Sequence, residues 1–194
     1  DGTQGSNFCA ACLKAKGDVH QRRVTTGATP LYTASENAHA PILLKLIAAK
    51  VRTIFAGDGG ASGVPFAQQD SCCEFWLQAC VNEVTIKNHS SPLYIASQNG
   101  HLEIIHILAT HKADVHLSRK ADGCSPFYVA ADKGYCEILQ YLLKLKADVN
   151  KSTNDGVWCP LNIAAHRGFF DCVKTLVKLK VRTLFCICCS HGQA

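Results

Sequence analysis

The residues in this chain best able to do chemistry are its twelve cysteines and nine histidines. They gather most densely near the C-terminus, where Cys186, Cys188, Cys189 and His191 put soft ligands at close spacing. A tetrahedral zinc site normally draws pairs of ligands from two places, and here one short tail would have to wrap the ion alone. Cys9 and Cys12 form a C-x-x-C pair, and Cys72, Cys73 and Cys80 add thiols, but in the linear stack argued below no two of these groups are neighbours. The tail reads as a frayed, oxidation-prone end. Cysteine-histidine catalysis needs a thiolate beside a base inside a cleft. His101, His106, His111 and His116 recur at a spacing of five, which does not collect them on one helical face. The glycine-rich run at 57–63 lacks the Lys-Ser/Thr ending and the preceding strand of a phosphate loop. We therefore expect no enzyme: no catalytic residue, no cofactor and no metal ligand is assigned.

Composition narrows the remaining classes. A hydrophobic content of 47% supports a packed core, while a net charge of +5, spread without any block of like charges, does not predict nucleic-acid binding. The apolar run at 42–49 is broken by Lys45 and falls short of a bilayer span, so no membrane partner is expected. The chain starts at Asp1 and contains no Met, which suggests a piece processed or excised from something longer. The cysteines lack regular spacing, and Cys124, Cys136, Cys159 and Cys172 stand where a helix face would take a small apolar residue. That pattern predicts free thiols and an intracellular, cytoplasmic setting.

Self-similarity organises the rest. SPLYIASQNGHLEIIHILATHKADVH from Ser91, SPFYVAADKGYCEILQYLLKLKADVN from Ser125 and CPLNIAAHRGFFDCVKTLVKLKVRT from Cys159 align without gaps, and Pro92, Pro126 and Pro160 are 34 residues apart. TPLYTASENAHAPILLKLIAAKVRT from Thr29 is a fourth copy, and LKAKGDVH at 13–20 looks like the tail of another. Proline fixes φ at the first helical position and needs no N–H there, with Ser, Thr or Cys before it as the N-cap. The small pairs Ala96-Ser97, Ala130-Ala131 and Ala164-Ala165 allow close helix packing, and Gly100, Gly134 and Gly168 end a short first helix in the left-handed conformation. A second helix follows with apolar residues at i, i+3, i+4 and i+7, then a polar stretch ending in Asp122-Gly123 or Asp155-Gly156, which is hairpin chemistry. One such unit cannot hide its apolar faces, whereas stacked neighbours can.

The strings (S/T/C)-P-L-(Y/N)-x-A-(A/S)-x-x-G-(H/Y/F) and K-A-D-V-N resemble the ankyrin repeat family. The resemblance covers 88–183 strongly and 27–50 well. It implies an all-α solenoid of stacked helix-turn-helix repeats with β-hairpin loops, interrupted by an irregular segment at 54–88. The expected units are a partial repeat at 1–26, repeats at 27–53, 89–122, 123–156 and 157–183, and a Cys-rich tail at 184–194. At 54–88 the sequence fits either a degenerate repeat or a glycine-rich loop followed by one helix. Because 62 residues separate Pro30 from Pro92, six short of two periods, the first repeat is expected to dock poorly. Lys50–Phe55 and Lys180–Phe185 are nearly identical and each precedes sequence unlike a repeat, from read-through at one coding junction or from a duplicated loop. Where the family has a His after Pro-Leu, this chain has Tyr32, Tyr94, Tyr128 or Asn162.

The resemblance further implies a protein-protein interaction scaffold that binds a protein partner on its concave face, as a monomer or as part of a longer chain. Carried over position by position, the partner-binding residues are Glu36 and Asn37, Gln98 and Asn99, Asp132 and Lys133, and His166 and Arg167 at the ends of the first helices. Lys120, Asp122, Asn154, Asp155 and Trp158 join them at the hairpin tips, with Trp158 as an anchor because Trp is enriched at binding hot spots. Packing between neighbouring hairpins is the other reading of Trp158, and loop support that of the tyrosines. A Cys/His metal-binding or redox-responsive protein, or the targeting array of a larger enzyme, are the competing functions.

Overall fold

A computed structural model of the 194-residue chain describes residues 27–55 and 80–178. The partial repeat expected at 1–26, most of the irregular segment, the second Lys-Val-Arg-Thr string and the Cys-rich tail lie outside the described residues. Eight helices form four pairs: α1 (Pro30–Glu36) with α2 (Ala40–Phe55), α3 (Pro92–Asn99) with α4 (Leu102–Thr110), α5 (Pro126–Lys133) with α6 (Cys136–Lys144), and α7 (Pro160–His166) with α8 (Phe170–Lys178).

The first helices begin where the repeat demands. Thr29, Ser91 and Ser125 each hold extended backbone angles and accept, through the side-chain hydroxyl, the N–H of Tyr32, Tyr94 and Tyr128 at 3.1–3.2 Å. Each such cap contributes about 1 kcal/mol. Cys159 occupies the same place before α7 and makes no side-chain cap bond, since a thiol is a weak acceptor. Gly100 and Gly134 end α3 and α5 at φ +81° and +76°. A Cβ at either would collide with the ring of Tyr135 or Phe169 from the next pair, so glycine serves both the turn and the stacking. In the first pair Ala38 adopts the equivalent turn at φ +57°, which a residue with a Cβ does at some cost.

Stacking is linear. α1 packs on α3, α3 on α5 and α5 on α7, while α2 meets α4 and α6 meets α8. Leu46, Ile105, Leu108, Phe127, Leu142 and Leu176 are fully enclosed between them, in one continuous core. Among the described residues there is no strand. The hairpin loops exist as tight turns: Arg119 N–H donates to Cys124 O at 2.9 Å, and Thr153 N–H to Trp158 O at 2.9 Å.

Two expectations need correction. The first repeat is not poorly docked, because α1 rests directly on α3. Asn99 Nδ2 donates to the Glu36 carbonyl oxygen at 2.9 Å, and His101 Nε2 reaches that same oxygen at 3.0 Å. A carbonyl only accepts, so His101 carries its proton on Nε2. The 62 residues between Pro30 and Pro92, 28 more than the distance from Pro92 to Pro126, thus do not part the two pairs. Second, not all thiols are free. Cys136 at the start of α6 and Cys172 in the first turn of α8 form a disulfide, with their Cα atoms 5.2 Å apart. Reading both as small apolar fillers missed that equivalent helix starts in adjacent repeats face each other. Cys124 and Cys159 are free thiols, and both they and Cys80 are buried.

Candidate interaction surface

The residues expected to meet a partner divide into two rows. At the ends of the first helices, Glu36, Asn37 and Gln98 are half-buried and Asn99 is exposed. Asn37 Nδ2 donates to Thr33 O at 2.8 Å, and Asn99 spans to the preceding pair through Glu36 as described above. Asp132 accepts from Arg167 Nε at 2.9 Å and lies 3.7 Å from Lys133 Nζ. His166 and Arg167 are exposed. The row changes in character along the stack, from an acid with an amide, through two amides and an acid–base pair, to His166 with Arg167. Part of it also joins successive pairs.

The second row is the loop tips. Arg119 forms an ion pair with Asp122, its Nε 3.0 Å from Oδ1, and Asp122 Oδ1 also accepts the Cys124 N–H at 3.1 Å. The guanidinium beside it holds the Asp122 carboxyl down at about 2. Burial, first, and the hydrogen bond that the thiol donates to Asp122 push the Cys124 thiol up to about 12, so it is neutral and inert as a nucleophile. The Arg119 guanidinium also stands 5.2 Å from the ring centroid of buried Tyr94. Here a cation–π contact joins loop to helix, in the place where the family uses a His hydrogen bond. Sequence reasoning missed Arg119. Its signal was available, three residues before Asp122 and one tip away from Tyr94.

Neighbouring tips are sewn together. Asn154 N–H donates to Asp122 O at 2.9 Å, and its side-chain amide reaches Lys120 O at 3.3 Å. Asp155 Oδ1 accepts from Val157 N–H at 3.0 Å and from the Thr153 hydroxyl. Trp158 is half-buried against the core, its ring edge-on to His166 with centroids 5.2 Å apart. Between the tips lies a groove of about 400 Å³ lined by His89, Leu117, Arg119, Lys120, Lys151 and Asn154. Of the residues expected at the tips, Asp122, Asn154 and Asp155 have structural partners and Lys120 is exposed to solvent. No cluster of three or more His, Cys, Asp or Glu able to hold a metal occurs among the described residues, and the C-terminal cysteines lie outside them. No described helix is long and apolar enough to cross a membrane.

Stacked helix pairs of this form, with a left-handed turn inside each pair and tight tips between them, define an all-α repeat solenoid. Residues 64–155 match the family model of ankyrin repeats in three copies. The pairs α1–α2 and α7–α8 lie outside the matched stretch and stack in the same way. No curated protein matches the chain. Ankyrin repeats are generally protein-protein interaction modules.

Proposed function

We propose that this chain is a non-catalytic scaffold that binds one protein partner across the ends of its first helices and its loop tips, the concave side in the ankyrin architecture. The observation that carries this reading is the contrast between invariant frame and changing surface. The helix-opening proline, the left-handed turn and the core positions repeat from pair to pair, whereas Gln98-Asn99, Asp132-Lys133 and His166-Arg167 differ at equivalent exposed or half-exposed places. A frame repeated for stability, with side chains that change along one exposed row, suits recognition more than catalysis. Function belongs to the site and not to the fold, so the identity of the partner rests on those side chains.

The metal or redox alternative draws on cysteines, of which the described ones are either paired with each other or buried. An intracellular setting, read from free thiols, keeps the support of Cys124 and Cys159 and loses that of Cys136 and Cys172. The decisive experiment is affinity capture followed by cross-linking, with the natural chain and with a quadruple variant changed to Ala at Gln98, Asp132, His166 and Trp158. The variant should lose the partner while keeping its helical spectrum. Undiminished capture by a folded variant sinks the assignment of this surface.

A further inference from the structure

The loops between successive helix pairs sort their charges. Loops 111–125 and 145–159 carry four carboxylates, Asp114, Asp122, Asp148 and Asp155. Each is tied to its own loop. Asp114 accepts the His116 N–H at 2.8 Å, Asp148 the Asn150 N–H at 2.9 Å, and Asp155 the Val157 N–H at 3.0 Å, while Asp122 is paired with Arg119. None of the four lines the groove of about 400 Å³ between the tips. That groove draws on three loops, with Val84 and Leu117 as half-buried apolar surface and His89, Lys120 and Lys151 as exposed side chains. Lys151 also borders a smaller cleft that Asp148 lines, without pairing with it. Among the described residues neither Lys120 nor Lys151 forms an ion pair. Since Asp122 offsets the charge of Arg119, the positive charge of the groove rests on the two lysines.

We infer that this groove receives an acidic stretch of the protein partner, an extended segment whose carboxylates meet Lys120 and Lys151 while an aliphatic side chain between them covers Leu117. The inference rests on the reading of the loop tips as a partner surface and names the chemistry of what binds there. Charge complementarity selects the occupant: unpaired cations gathered around one concavity, with the loop carboxylates turned to other duties, attract an acidic segment and repel a basic one. Carboxylates suit the groove better than phosphate. Its one guanidinium, Arg119, is already engaged by Asp122 through two nitrogens, which leaves point-charge ammonium groups and no bidentate fork. Single-stranded nucleic acid needs aromatic faces for its bases, and among the described residues no Phe, Tyr or Trp lines the groove. The first-helix row does not compete for the same segment, because its Asp132–Arg167 pair is closed on itself.

The test titrates the full, isotope-labelled chain with the synthetic peptide Gly-Glu-Glu-Leu-Glu-Glu-Gly and with its counterpart carrying Gln for every Glu, followed by amide chemical shifts. The Glu peptide should move the amides of Lys120, Gly123, Lys151 and Asn154. At low salt it should bind at least ~10-fold more tightly than the Gln peptide, and the advantage should shrink as salt is added. The double variant Lys120→Gln, Lys151→Gln changes two exposed side chains, so it should melt with the natural chain and lose that advantage. Equal binding of the two peptides, shifts confined to other amides, or an undiminished advantage in the double variant overturns the inference. A short single-stranded DNA that binds these amides more tightly than the Glu peptide gives the groove to nucleic acid and overturns it as well. Partner capture separates this failure from that of the wider surface. Capture lost by the quadruple variant but kept by the lysine double variant sinks the acidic stretch alone; capture kept by the quadruple variant but lost by the lysine double variant sinks the first-helix row and leaves the groove.

Discussion

The pairs α5–α6 and α7–α8 are near copies in sequence and opposites in circumstance. α5 is covered on both sides, by α3 and by α7, and its turn glycine, its alanine pair and its helix-start cysteine are all engaged by neighbours. Among the described residues, α7–α8 is engaged on one side only. In a quasi-one-dimensional stack each repeat draws stability from its own helices and its nearest neighbours, so a pair with one neighbour is the weakest unit. The interface that holds it carries fastenings particular to it: the Cys136–Cys172 disulfide and the Asp132–Arg167 ion pair. The difference teaches that these two fastenings fall at the pair with a single neighbour among the described residues.

The sharpest way to break that contrast is to remove the disulfide. The closed loop has a sequence separation of 36, for which loop-closure entropy gives about 3–4 kcal/mol of stabilisation. Cys136→Ser should therefore lower the melting temperature and speed amide exchange in α7–α8 more than in α3–α4. Equal protection with and without dithiothreitol would show that the bond does not fasten the last pair.

A subtler probe compares two glycines. Gly168→Ala bears only the left-handed backbone penalty, about 1–2 kcal/mol. Gly134→Ala adds collision with the Phe169 ring, whose atoms stand 2.6–2.8 Å from the new Cβ, and should cost about 2–4 kcal/mol in all. Urea denaturation of the two variants should show this gap; equal losses would mean that Phe169 yields freely and that the ring does not matter to stacking.

The smallest effect belongs to the tips. Asp122 has a carboxyl lowered from 3.8 to about 2 by Arg119. A group depressed in the folded state stabilises it above its unfolded value, and that stabilisation disappears as pH falls from about 4 to about 2. The pair is part exposed, so the loss should stay under about 1 kcal/mol. It should be visible as faster exchange of the Gly123 amide, which donates to Arg119 O at 2.8 Å, and Asp122→Asn should remove the pH dependence.

What the sequence revealed, and what it hid, follows from which interactions are local. The prolines, caps and left-handed glycines act within a few residues of themselves, so helix starts and ends were readable from 34-residue spacing alone. Docking of the first pair was hidden because chain length between Pro30 and Pro92 was taken as distance along the stack, and an insertion separates those two quantities. The Cys136–Cys172 bond was readable in principle: 36 residues is one period plus half a helical turn, which returns to the facing side of the next helix. The tip residues were chosen for type and position, and type does not tell whether Asp122 or Asn154 is already engaged by a neighbouring tip. Spacing offered Arg119 as a partner for Asp122, three residues on, but was not used, and its contact with Tyr94 reaches back to the helix before it.

One oxygen atom holds the first pair in line. The Glu36 carbonyl receives both Asn99 and His101 from the following pair, so the angular setting of α1 on α3 is fixed at the contact itself and owes nothing to the covalent path between them. Each doubling of a flexible connection costs only about 0.6 kcal/mol. Chain order and stack order are thereby decoupled at this junction. A gene could lengthen that path, or a protease could cut it, and the two halves would retain the instructions for finding each other.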